Sequence, residues 1–152
     1  YAFERPALVG TTVADAVRYG TALPRTDVEA ACRAAQVHDV VVRLPEGYDT
    51  PMSTAPMSGG EAQRLGLARA FVRDPAILVL DDATASLDMV TEATVERAVE
   101  SALPGRTRVV VTHRAATARR ADFVVWLEDG RVRATGPHHD LWHDDEYRAV
   151  FG

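Results

Sequence analysis

The chain has 152 residues, enough for one domain with a sizeable core, and its 47% apolar and 26% charged residues argue against disorder. The net charge of -5 gives no electrostatic case for a nucleic-acid partner. No apolar run reaches the ~20 residues that a membrane-spanning helix needs, and the single cysteine, Cys32, excludes an internal disulfide and suits a reducing compartment. The first residue is Tyr1 rather than Met, and no signal peptide is visible. The expectation is a segment of a larger protein, with any membrane domain lying outside it.

Residues 1 to 11 read as an extended lead-in broken by Pro6 and Gly10. Thr12 to Arg18 reads as a short helix capped by Thr12. Gly20 to Pro24 is a loop, and Asp27 to His38 is a helix whose Val28, Ala31, Cys32 and Ala35 form one buried stripe. Pro45, Gly47, Pro51 and Pro56 make 45 to 57 a loop. The next helix runs from Ser58 to Arg73 and stops at Asp74-Pro75, because the residue before a proline disfavours helical geometry. Ile77 to Leu80 is a continuous apolar run, the pattern of a strand buried on both faces.

Asp88 to Ala102 reads as a helix with Val95, Val99 and Ala102 on its core side. Pro104-Gly105 turns into a second apolar strand, Val109 to Val111. A short helix, Arg114 to Arg120, leads to a third strand, Phe123 to Leu127. Asp129-Gly130 is a two-residue hairpin turn into Val132 to Thr135, and Asp140 to Phe151 reads as one helix. Helices alternating with buried strands predict an α/β fold with a mostly parallel sheet. The first 75 residues are nearly all helix and loop and predict a helical subdomain ahead of the sheet.

Three segments carry chemistry. Ser58 and Glu61 have the Ser-x-x-Glu spacing of a capping box, which fixes a helix start. Gly59 and Gly60 let backbone approach an anion, and a helix start offers free N–H groups to phosphate. Taken alone, the same residues read more readily as a plain capped helix. Asp81 and Asp82 close an apolar strand. One carboxylate there is placed to hold Mg2+ and its neighbour to orient or deprotonate a water; alone, they also read as a solvated pair opening a turn. His113 follows a strand and Thr112, where an imidazole can steady charge developing on a terminal phosphate, or serve simply as a surface residue. His138, His139 and His143 with Asp140 and Asp144 match no structural zinc spacing.

Together and in this order, these segments resemble the ATP-binding-cassette (ABC) ATPases. Met57 to Arg64 resembles the ABC signature motif, Ile77 to Asp82 the Walker B strand, Ser86-Leu87-Asp88 the D-loop and Thr112-His113-Arg114 the H-loop. Leu44 to Thr50 and Gly136 to Leu141 resemble exporter-type members. The similarity runs from Glu4 to the end of the chain. It contains no Gly-x-x-x-x-Gly-Lys-Ser/Thr loop, so it corresponds to part of a P-loop NTPase (RecA-like) core plus the α-helical subdomain. The resemblance implies a boundary near residue 75, with 1–75 holding the Q-loop remnant and signature subdomain and 76–152 the C-terminal half of the core. It also implies a gap or rearrangement in the sheet between the strand at 109–111 and the strand at 123–127.

The resemblance implies ATP and Mg2+ as cofactors, neither binding well to this segment alone. It implies a second cassette and the transmembrane domains of an exporter as partners, at the cytoplasmic face of the cell membrane. Asp82 and His113 would be catalytic. Asp81 would hold Mg2+, with Glu4 as a second candidate. Glu4, Ser58, Gly59, Gly60, Glu61 and Asp88 would border nucleotide, Ser58 to Gly60 that of the partner cassette.

Three positions depart from the family pattern. The usual catalytic glutamate is Asp82, one methylene shorter. The Q-loop glutamine is Glu4, a carboxylate that adds repulsion near phosphates. The signature carries Met57 and Glu61 for leucine and glutamine. This suggests either the degenerate-site subunit of a heterodimer, serving its partner's competent site through an intact Ser58-Gly59-Gly60, or a slow homodimer. A soluble non-transport ABC-type ATPase and a non-catalytic regulatory module are the other readings.

Overall fold

A computed structural model describes residues 1–85, 87–102 and 104–151. Ser86, the first residue of the expected D-loop, and the side chain of Ala102 lie outside what is described. The chain divides into two compact units, Tyr1–Val110 and Val111–Gly152.

The first unit opens with a short strand, β1 (Ala2–Phe3), followed by α1 (Val13–Arg18), α2 (Arg25–Ala34), α3 (His38–Val41), a 3-10 turn at Gly47–Asp49 and α4 (Gly59–Phe71). Then come β2 (Ile77–Asp81), α5 (Met89–Ala102) and β3 (Thr107–Val111), all but the last residue of which falls in this unit. Helix α1 starts on a side-chain cap. Thr12 accepts a hydrogen bond from the Asp15 N–H at 3.2 Å and the Asp15 carboxylate accepts one from the Thr12 N–H, a capping box that opens α1. Val28, Ala31 and Cys32 of α2, with Ala35 just past its end, are all buried, as the predicted stripe requires. The helix expected over 27–38 starts two residues earlier and ends at Ala34, because Gln36 turns left-handed at φ 57 before α3 begins. Helix α4 ends at Phe71, short of the Asp74-Pro75 stop, and Asp74 itself is left-handed at φ 42.

The lead-in is not wholly irregular. Ala2 and Phe3 pair parallel with Leu80 and Asp81, giving a three-stranded sheet in the order β1-β2-β3. Two residues are too few to show a strand period, so the sequence carries no signal for β1. The buried core is drawn from both the helices and the strands: Val13, Val17, Val28, Val37, Val41, Leu65, Leu67, Leu78 and Val95 are essentially solvent-free. The strands are less covered than their apolar runs suggest. Leu78 is fully buried, but Ile77 is 59% exposed and every residue of β3 is exposed. An edge strand has one flank without a ladder, and here its faces also stay open.

The second unit holds α6 (Ala115–Arg120), β4 (Val124–Glu128), β5 (Arg131–Gly136), α7 (His138–Leu141) and α8 (Asp145–Ala149). β4 and β5 form an antiparallel hairpin of their own. Asp129 and Gly130 both have positive φ, 48° and 73°, the requirement of the predicted tight turn. Among the described residues, β1, β2 and β3 form one sheet and β4 and β5 another. The single helix expected over 140–151 is two short ones. Asp144 breaks the run by capping α8, its carboxylate accepting from the Glu146 and Tyr147 N–H groups. Trp126, His138, Trp142, Tyr147 and Phe151 cluster their rings, with centroids about 5 to 6 Å apart.

Candidate functional site

The start of α4 is built by Ser58 and Glu61. Ser58 is extended at φ -68, ψ 163, and its Oγ accepts from the Glu61 N–H at 3.3 Å. Glu61 Oε2 accepts from the Ser58 N–H at 2.8 Å. That backbone bond, first among its contacts, holds the Glu61 carboxyl below the usual carboxylate range. An Oγ that accepts one hydrogen bond still has its own proton to give. A β-carbon at Gly59 would meet nothing within 4 Å, so the first turn of this thirteen-residue helix is open to an approaching anion.

The end of β2 brings a second group of predicted residues together. The Glu4 N–H donates to the Asp81 carbonyl at 3.0 Å, continuing the β1–β2 ladder and setting Glu4 alongside Asp81. Both residues are exposed. Among the described residues no group of three His, Cys, Asp or Glu converges as a metal site. Asp81 fits Mg2+ in the manner of sites that use one or two carboxylates and draw their other oxygens from phosphate and water. Asp82 follows at φ 45, left-handed, and half-buried. Its carbonyl accepts from the Ala85 N–H at 3.0 Å and from Gln63 Nε2 at 3.2 Å.

Asp88 is fully engaged as a helix start. Its carboxylate accepts from the Val90 and Thr91 N–H groups at 3.1 and 3.0 Å and from the Thr91 hydroxyl at 2.6 Å. Those bonds, the Thr91 hydroxyl first, hold its carboxyl below the usual range. Nearby, the Thr84 hydroxyl donates to Glu92 Oε1 at 2.8 Å and ties the turn after Asp82 to α5. His113 belongs to the second unit, where it is exposed beside Thr112, whose Oγ1 accepts from the Arg114 N–H at 3.1 Å. The first unit therefore gathers Glu4, Asp81 and Asp82 at one strand end and carries the Ser58–Glu61 start on a helix tied to it by Gln63.

Gln63 stands inside the recognised motif, yet sequence reasoning gave it no role. The signal was there: a carboxamide at the position of α4 that shares a face with Leu67 and Ala70, both buried. Of the remaining histidines, His138 is committed to Tyr147, its Nδ1 lying 3.0 Å from the phenol oxygen.

The family model for the ABC transporter matches residues 4–85, the stretch that runs from Glu4 through the signature helix to the turn after Asp82. The chain belongs to the ABC transporter family. It is 56% identical over its whole length to the ABC transporter ATP-binding protein RamA of Streptomyces coelicolor, of which it covers 24%. Over 91% of its length it is 39% identical to the ABC multidrug transporter MDR2 of Trichophyton equinum. Over the same share it is 40% identical to ATP-binding cassette sub-family B member 5 of Homo sapiens. It covers 11% of each of those two proteins. Its fold superposes on a bacterial Atm1-family ABC exporter with ATP bound, with a TM-score of 0.88 and 33% identity, over 99% of this chain and 27% of that one. The chain thus spans about a quarter or less of the length of these ABC proteins. Among its described residues no helix is long and apolar enough to cross a membrane.

Proposed function

We propose that this chain is a portion of the ATP-binding and ATP-hydrolysing domain of an ABC exporter, supplying its signature motif, Walker B strand, D-loop and H-loop. The observation that carries this reading is the open Ser58–Glu61 helix start on the same chain as the Asp81–Asp82 strand end. The kinship with exporters over nearly the whole chain supports the transport assignment. Ser58, Gly59 and Gly60 offer a hydroxyl and free N–H groups to the terminal phosphate of ATP held by a second cassette. Asp81 holds Mg2+ of its own site, with Glu4 beside it as a second carboxylate. Asp82 orients or deprotonates the attacking water, and His113 steadies charge on the terminal phosphate. Asp88 borders the nucleotide at the interface of the two cassettes, held by its cap at the start of α5. Closure of two such cassettes drives transmembrane domains from the cytoplasmic face of the membrane.

Asp82 and Glu4 beside an intact Ser58-Gly59-Gly60 favour the degenerate-site subunit of a heterodimer over a slow homodimer. A carboxylate retracted by about 1 Å can cost on the order of 100-fold in rate. The test is ATP turnover by the full-length protein carrying this segment, with Asp82 as found and as Asp82→Glu. A nearly silent native form that Asp82→Glu awakens supports the degenerate subunit. Brisk native turnover makes Asp82 a working base and the homodimer the simpler account. The 152-residue chain by itself contains no Walker A sequence and is expected neither to hydrolyse ATP nor to bind it tightly; saturable micromolar binding would overturn that expectation.

A further inference from the structure

We propose that Gln63 is a positioning residue for Asp82, holding the Asp82 main-chain carbonyl from α4 and so fixing the left-handed turn that aims the Asp82 carboxylate. The proposal rests on the reading of Asp82 as the water-activating group. Gln63 is wholly solvent-free. Its Nε2 donates to the Asp82 carbonyl at 3.2 Å, and the Ala85 N–H donates to the same oxygen at 3.0 Å, so both lone pairs of that carbonyl are used. The amide orientation is determined by its surroundings, because turning it over would set Gln63 Oε1 against the Asp82 oxygen.

A residue present only to fill this space would be leucine or methionine. The carboxamide is costly here, because its Oε1 is buried with no hydrogen-bond partner among the described residues. What the amide gains in return is a grip on a residue whose φ of 45° an L-amino acid adopts reluctantly. Ser58 caps the same helix, so a single rigid rod carries the phosphate-facing end and the hold on Asp82. A shift of α4 on engaging a partner nucleotide is then felt at Asp82 through one hydrogen bond, with no nucleotide contact by Gln63 itself.

The test uses the full-length protein, in the native sequence and in the Asp82→Glu background, with Gln63→Met and Gln63→Glu. Methionine keeps length and removes the donor; glutamate keeps shape and sets oxygen against oxygen. Two readouts are taken: kcat and KM for ATP, and hydrogen exchange at the Ala85 amide. The expected result is faster Ala85 exchange and a kcat about tenfold to 100-fold lower, with KM within about twofold because uniform binding is untouched. The unfolding midpoint of Gln63→Met is expected to hold or rise, which separates positioning from simple loss of stability. Unchanged Ala85 exchange overturns the proposal. Faster exchange with unchanged kcat overturns it too and places the fault in the role given to Asp82. If no background hydrolyses ATP, the functional reading fails, while the exchange measurement still decides whether Gln63 holds the turn.

Discussion

Pro6 is seated directly on Gly66: a β-carbon at residue 66 would lie 2.6 Å from the proline Cβ and 2.7 Å from its Cγ. The proline ring is tied to the backbone and cannot swing aside as a long side chain would. The segment after Glu4 is further held to α4 by Arg69, whose guanidinium donates to the Ala7 carbonyl. The signature helix and the strand-end carboxylates are therefore packed together from two directions, by Pro6 outside and by Gln63 within.

Gly66→Ala is expected to destabilise the protein. Helix propensity alone would favour alanine by about 1 kcal/mol, but overpacking costs about 1–3 kcal/mol and wins where the neighbour cannot move. Denaturant unfolding of Gly66→Ala, Pro6→Ala and the double variant reads this directly. A coupling of about 0.5–3 kcal/mol between the two sites is expected; strict additivity would show that the ring gives way.

Ser58→Ala removes the acceptor for the Glu61 N–H and should cost about 0.5–2 kcal/mol of stability. Glu61→Gln keeps the shape of the box but gives up the charge on its acceptor, so it should be less stable than the native protein at pH 7 and equal to it in acid. The folded Glu61 carboxyl titrates below its ordinary value, so its contribution is full above that value and is lost as pH falls through the depressed one. Stability of the native protein should therefore fall more steeply below about pH 4.5 than that of Glu61→Gln, as followed by circular dichroism.

Cys32 is expected to be inert in the folded protein. Burial pushes its thiol up to about 11, so the reactive thiolate is scarce at neutral pH. Labelling with a maleimide at pH 7 should proceed only as fast as the first unit opens. Rapid labelling under native conditions would contradict the buried placement of the α2 stripe.

His138 and the two tryptophans give the second unit its own reporter. Burial, and then the nearby Arg119 and His139, hold the His138 imidazole below its ordinary value. Between the folded and unfolded values the unfolded state binds more protons, so stability rises with pH there. The contribution is full above about pH 6.5 and is lost as pH falls through the lowered folded value. Trp126 and Trp142 are the chain's only tryptophans, and both touch this cluster. Tryptophan fluorescence should report weaker resistance to denaturant at pH 5 than at pH 8. Tyr147→Phe, which leaves His138 Nδ1 without its phenol partner, should cost about 1 kcal/mol at pH 8.

The parts of this molecule that sequence made legible are those set by local rules. The Thr12 and Ser58 caps, the Asp129-Gly130 turn and the Val28-Ala31-Cys32 stripe each depend on residues within a few positions of one another. What stayed hidden depends on long-range partners. Ala2-Phe3 becomes a strand only because Leu80-Asp81 offers it a ladder, and Gln63 acquires a purpose only when Asp82 is brought beneath it. The apolar run of β3 predicted burial, but an apolar sequence records an affinity for cover rather than cover itself. The break at Asp144 was readable in principle, since aspartate before an acidic turn is an ordinary cap.

The left-handed backbone at Asp82 sets reach against comfort at a single position. Aspartate is among the few residues that tolerate this conformation, whereas glutamate, with its longer unbranched stem, shares the general reluctance of about 1–2 kcal/mol. Asp82→Glu would thus extend the carboxylate towards a water while making the turn beneath it harder to hold. Any gain in turnover at this position should come with a protein that melts sooner, an activity–stability trade-off written into one torsion angle.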